Sequence, residues 1–70
     1  MTREVLAQII KERRKQLKIT QVDLAELSDI STRQLSDIET AQASTTLDTL
    51  SKICETLGLT IEVKIKGVES

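Results

Sequence analysis

Phenylalanine, tyrosine, tryptophan and histidine are absent from this 70-residue chain, and cysteine occurs once. Each absence removes a class of function. A core without aromatics must be built from Leu, Ile, Val and Ala, and no ring is present for the bases of single strands or RNA loops to stack on. Without histidine there is no imidazole to act as catalytic base or metal ligand. One cysteine neither closes an internal disulfide nor completes a zinc finger. No metal site and no cofactor is expected. No apolar run approaches the roughly 20 residues that a membrane span needs, and MTREVLAQII lacks the flanked apolar stretch of a signal peptide. The expectation is a soluble, cytoplasmic protein of one small domain. Such a domain draws only about 3–5 kcal/mol from its core, so a partner subunit is the expected source of further stability.

What is present is unevenly distributed. Residues 1–35 hold seven Lys/Arg against five Asp/Glu, whereas residues 36–70 hold three against six, for a net charge of −1. The basic part centres on KERRKQLK, residues 11–18. A nucleic-acid reading has to rest on that cluster, because the global charge gives it no support.

Four helices are written in the periodicity. Leu6, Ile9, Ile10 and Leu17 fall at helical spacing, with Arg13 where an apolar residue would recur, and Thr2 caps the segment, predicting a helix over 3–17. Thr20 with Asp23 resembles a capping box, and Val22, Leu24, Ala25 and Leu27 predict a helix over 21–27, apolar on most sides and so largely buried. Ser28-Asp29-Ile30 interrupts that pattern. Ser31 and Gln34 then form an S-x-x-Q capping box, opening a helix at Thr32 that runs to Glu39. TAQASTT, residues 40–46, is a polar loop. Thr45 or Thr46 caps a fourth helix with Leu47, Leu50, Ile53, Cys54 and Leu57 along one face, and Gly58 is placed to end it. On that face Cys54 reads as a core thiol rather than a nucleophile. No Gly-rich phosphate loop exists, so no catalytic residue is assigned and an enzyme is not expected.

LTIEVKIK, residues 59–66, changes period: Ile61, Val63 and Ile65 alternate with polar residues, a strand pattern. A strand needs a ladder partner, and the chain offers no second one. An identical strand from another protomer, antiparallel across a two-fold axis, is the simplest solution. A frayed or helical tail is the alternative. The expected organisation is a helix-turn-helix domain over 1–58, a dimerisation strand over 59–66 and a tail over 67–70.

Two short helices joined by a tight turn, the second with one narrow apolar stripe, make a helix-turn-helix arrangement. Leu35 and Ile38 pin the second helix inward, so Thr32, Arg33, Gln34, Ser36 and Asp37 face out. A helix fits the major groove of duplex DNA, and side chains at its N-terminal end reach base edges. Arg33 suits guanine or a phosphate, Gln34 adenine, and the Thr32 methyl a thymine methyl. Ser36 serves bases or phosphates. Asp37 accepts from cytosine or orients Arg33 four residues back. The plain alternative is a solvated helix face.

KERRKQLKITQVDLAELSDISTRQLSDIE resembles the Cro/repressor-type, or XRE, helix-turn-helix family. The matching residues are Arg14, Leu17-Lys18-Ile19, Thr20-Gln21, Asp23-Leu24-Ala25, Ser31 and Ile38-Glu39. The resemblance implies a mostly α fold of four to five helices. It implies base contacts from Thr32, Arg33, Gln34, Ser36 and Asp37, and phosphate contacts from Gln21, Ser31, Thr40, Gln42 and Ser44. It also implies an ion pair between Arg14 and Glu39, against the alternative that Arg14 is a solvated surface charge. Lys18, Asp29 and Ala41 stand where Gly is common in the family; Lys18 and Asp29 are expected to hold positive φ at about 1 kcal/mol each. The loop 40–46 lacks the basic residues of many relatives, so non-specific binding is expected to be weak and its salt dependence shallow. STTLDTLSKICETLGLTIEVKIK, residues 44–66, is similar to HipB-like antitoxins, whose C-terminal strand pairs between protomers.

The expected function is a homodimeric DNA-binding repressor of a palindromic operator. Its antitoxin form, in which the dimer also neutralises a HipA-like kinase toxin, is set ahead of a stand-alone phage-type or restriction-control regulator. A protein-interaction module on the same scaffold is the alternative from another class.

Overall fold

Each helix begins on a hydroxyl. In the computed structural model, which describes residues 1–67, the side chains of Thr2, Thr20, Ser31 and Thr46 accept from the backbone N–H groups of Val5, Asp23, Gln34 and Thr49. Each cap satisfies one of the donors that a helix start leaves unpaired. They open α1 (Arg3–Gln16), α2 (Gln21–Leu27), α3 (Thr32–Glu39) and α4 (Leu47–Leu57). The Thr20 box closes in both directions, because the Asp23 carboxylate accepts from the Thr20 N–H at 3.3 Å. At α3 only the Ser31 half forms. The box expected there is thus corrected to a single cap, and the Gln34 side chain stays on the exposed face.

All four helices end in the same way. The residue after each final turn adopts the left-handed conformation: Lys18 at φ 58°, Asp29 at 57°, Ala41 at 60° and Gly58 at 70°. Beyond each one, the N–H of Ile19, Ile30, Gln42 or Leu59 returns to the carbonyl of Arg14, Ala25, Asp37 or Cys54. This is the Schellman arrangement, and Ile19, Ile30 and Leu59 use it to turn back onto the core. Only Gly58 holds this conformation without steric cost; a side chain there costs roughly 1–2 kcal/mol. Replacing Ala41 with glycine is therefore expected to raise stability by about 0.5 kcal/mol, the relieved strain being partly offset by the looser unfolded chain. A urea titration that shows a lower midpoint for Ala41→Gly would contradict this.

α1 and α2 each pack against both α3 and α4. Ile10, Leu24, Ala25, Leu35, Ile38, Ile53 and Leu57 form the core, sealed by Leu6, Ile19, Ile30, Leu50 and Leu59. The expectation that α2 is largely buried is corrected. Leu24 and Ala25 are buried, but Val22 and Leu27 are exposed, Leu27 by 67%. A helix of two turns meets its neighbours along one side only.

The strand expected over 59–66 is not formed among the described residues, nor is a helix. A ladder requires a second backbone, and the described chain presents none. Leu59 packs on the core, Ile61 lines a cleft with Leu6, Ile9, Leu50 and Cys54, and Val63 and Ile65 stand 97% and 77% exposed. Of the expected tail, residues 68–70 lie outside the described residues. No helix among the described residues is long and apolar enough to cross a membrane.

Candidate nucleic-acid interface

The division of α3 into two faces is sharp. Leu35 and Ile38 are buried, while Thr32, Arg33 and Gln34 are exposed and Ser36 and Asp37 half-buried. The turn that aims this helix is short because the cap of α2 runs directly into the cap of α3: Ser28 ends one, Asp29 reverses the chain, and Ser31 starts the next. Arg33 stands 3.7 Å from Asp37 one turn on, with its side chain 89% exposed. An exposed pair of this kind contributes little to stability. Its effect is to bias the guanidinium along the helix while leaving it free to move to a stronger acceptor.

A buried ion pair anchors the other end of α3. Arg14 donates through Nε to Glu39 Oε2 at 2.7 Å and through Nη2 to Oε1 at 2.9 Å. Its Nη1 donates to the Ile19 carbonyl at 3.0 Å. The two side chains are 12% and 2% exposed. Hydrogen bonding to the Glu39 carboxylate holds the Arg14 pKa above its ordinary value; burial opposes the shift and the carboxylate charge adds to it. Bidentate geometry makes this a strong pairing, and Arg14 is not a solvated surface charge. Gln21 joins the network, donating from Nε2 to Glu39 Oε1 at 3.2 Å. One amide hydrogen of Gln21 is therefore committed inward, and the second remains for another acceptor.

The remaining expected phosphate contacts are placed less uniformly. Ser31 is the α3 cap, its oxygen accepting from the Gln34 N–H at 3.0 Å. Thr40 folds back along the helix, its hydroxyl donating to the Ser36 carbonyl at 2.8 Å. That bond uses its one hydrogen, so Thr40 offers a phosphate no side-chain donor without rotating away. Gln42 donates to the Thr40 carbonyl at 3.3 Å, and Ser44 is exposed. The left-handed Ala41 bends the loop so that the N–H groups of Gln42 and Ala43 both converge on the Asp37 carbonyl.

One structural residue escapes sequence reasoning. Arg13 donates from Nε to the Leu57 carbonyl at 2.8 Å, closing the end of α4 with a cation where the helix dipole favours one. Its only signal is its place at the skipped apolar position of α1. Among the described residues no cluster of potential ligands is placed to hold a metal ion.

Known proteins share this arrangement. A helix-turn-helix family profile matches residues 10–64. A chain of the HipA–HipB–O2–O3 complex is 30% identical over 94% of this chain and 93% of its own length, with a TM-score of 0.80. The clp gene regulator ClgR from Corynebacterium glutamicum is 29% identical over 84% of this chain, with a TM-score of 0.80; this chain spans 63% of its length. A mutant of the restriction–modification controller protein C.Esp1396I is 28% identical, covering 83% of this chain and 75% of that one, with a TM-score of 0.79. No curated protein gives a significant match. The length of the profile match, carried on a capped α2, a tight turn and an outward polar face of α3, makes the chain a member of the helix-turn-helix family, of the XRE type of transcriptional regulator.

Proposed function

We propose that the protein is a homodimeric repressor that reads a palindromic DNA operator with α3. The observation that carries this is the exposure of Thr32, Arg33 and Gln34 above the buried Leu35 and Ile38. Those side chains stand at the N-terminal end of a helix narrow enough for the major groove. Arg33, Gln34 and Thr32 carry base discrimination, with Ser36 and Asp37 at the margin. Gln21 and Ser31, with Gln42 and Ser44 from the loop and Thr40 after rotation, position the backbone. The Arg14–Glu39 pair fixes α1, α2 and α3 as one body, so two recognition helices keep a set separation in a dimer.

Selection of bound duplexes from a random library tests this. Arg33→Ala is expected to relax preference at one base pair, by about 1–3 kcal/mol of discrimination. Gln21→Ala is expected to weaken all sequences alike. A uniform loss from Arg33→Ala would reassign that residue to phosphate. Failure to retain any duplex at low salt would favour a protein-interaction module on the same scaffold.

The dimer contact is assigned to residues 59–66, paired as an antiparallel strand between protomers. In support, Val63 and Ile65 are apolar, alternate and exposed, and an unpaired edge of this composition invites a second backbone. The antitoxin form is favoured over a stand-alone regulator by near end-to-end correspondence with a chain from a complex containing HipA. Its test is the adjacent reading frame. A kinase-like protein encoded beside this one, and co-purifying with it, is expected; a methyltransferase or nuclease neighbour would favour restriction control.

A further inference from the structure

The helix-turn-helix unit is itself acidic. Residues 20–46 hold one cation, Arg33, against Asp23, Glu26, Asp29, Asp37 and Glu39, a net charge of −4. A surface that meets a polyanion needs cations from elsewhere, because the gain from displaced counterions scales with the phosphates neutralised. Residues 1–19 carry six Lys/Arg against two Asp/Glu, a net of +4. Two of those six are already committed: Arg14 to Glu39 and Arg13 to the Leu57 carbonyl. Lys15 and Lys18 are exposed and make no ion pair among the described residues.

We infer that Lys15 and Lys18 grip the DNA backbone at the edge of the site and supply most of its non-specific, salt-sensitive affinity. The inference rests on the DNA-binding reading above. Three contacts of their neighbours place the backbone that carries these lysines. Arg14, next to Lys15, reaches Glu39 at the end of α3 and the carbonyl of Ile19. Gln21, three residues after Lys18, reaches the same carboxylate. The last turn of α1 is thereby tied to the start of α2 and the end of α3, the elements assigned to the DNA. Lys18 follows the cap of α1 in the left-handed conformation, outside the helical path. Lys11 lies one turn before Lys15 on the same face and extends the stripe inward. Sequence reading then belongs to α3, whereas the charge that holds the duplex belongs to the end of α1 and the turn that follows it.

Binding of the intact chain to a duplex of random sequence, followed by fluorescence anisotropy across a salt series, tests the assignment. The double variant Lys15→Gln, Lys18→Gly is expected to lower the slope of log affinity against log salt by about two, roughly 0.9 for each lost phosphate contact. Glycine suits the backbone at position 18, so the variant is expected to remain folded, with a urea midpoint no lower than that of the parent. Lys52→Gln, which removes a cation from α4 beside Asp29, is expected to leave the slope unchanged. An unchanged slope in the double variant would overturn the inference, as would an equal fall from Lys52→Gln, which would make net charge the cause. No binding of the parent chain at low salt would overturn the DNA reading itself.

Discussion

Replacing Glu39 with alanine is expected to remove most of the protein's stability and bring it close to its unfolding midpoint at room temperature. The carboxylate is 2% exposed and accepts from Arg14 twice and from Gln21 once. Removing it leaves a guanidinium, itself 12% exposed, without its counter-charge. Breaking a buried pair from one side costs about 3–5 kcal/mol, most of it the penalty of the stranded charge. The lower end applies here, because Arg14 keeps some solvent and its bond to the Ile19 carbonyl. Even so, about 3 kcal/mol rivals the whole stability available to a domain this small. Urea titration followed by circular dichroism measures it. A loss below about 1 kcal/mol would show that the pair is solvated in practice.

The pair's own worth is a separate quantity. Substituting both partners together, Arg14→Leu with Glu39→Leu, removes the stranded charge, and apolar replacement of buried pairs is often close to neutral. The double variant is therefore expected to be more stable than Glu39→Ala, and with the single variants Arg14→Leu and Glu39→Leu it completes the cycle that measures the coupling. Stability and orientation separate in that variant: it folds, but Gln21 loses the acceptor that ties it to α3.

How much of this was legible before the structure depends on the range of the interaction. Caps and helix ends act over three or four residues, so Thr2, Thr20 and Ser31 mark three starts, Thr45 or Thr46 the fourth and Gly58 an end in the sequence alone, and the structure selects Thr46. Leu35 and Ile38 give the inward stripe of α3 for the same reason. Four features were not legible there. Arg13 and Leu57 are 44 positions apart, and nothing in the pattern of α1 announces that its missing apolar residue caps another helix. The burial of Glu39 depends on Arg14 25 positions away, so periodicity cannot rank that pair above a surface charge, and the resemblance to repressors raises it only to even terms with one. Val22 and Leu27 look like core residues, because a short apolar helix does not reveal which of its sides lacks a neighbour. The committed hydroxyl of Thr40 is a rotamer choice that leaves no trace in residue type.

Removing residues 60–70 is expected to convert the proposed dimer to a monomer and to lower operator affinity by about 10²–10⁴-fold, the usual advantage of two linked contacts over one. The cut spares the fold. Leu59 still closes α4 through its N–H to the Cys54 carbonyl at 2.8 Å, and the core does not include Val63 or Ile65. Thermal unfolding of the truncated monomer then reports the domain alone, and sedimentation reports the assembly. Val63→Glu separates the backbone from the stripe. At 97% exposure the change costs the isolated chain almost nothing, as surface substitutions usually lie within about 0.5 kcal/mol. In an antiparallel pair about a two-fold axis the central residue of Ile61, Val63 and Ile65 lies nearest its own copy, so the variant sets two carboxylates against each other across the strands. Monomers that keep the parent's circular dichroism are the expected product. A Val63→Glu protein that still sediments as a dimer on its operator would move the interface away from the C-terminal segment, to the apolar cleft between α1 and α4.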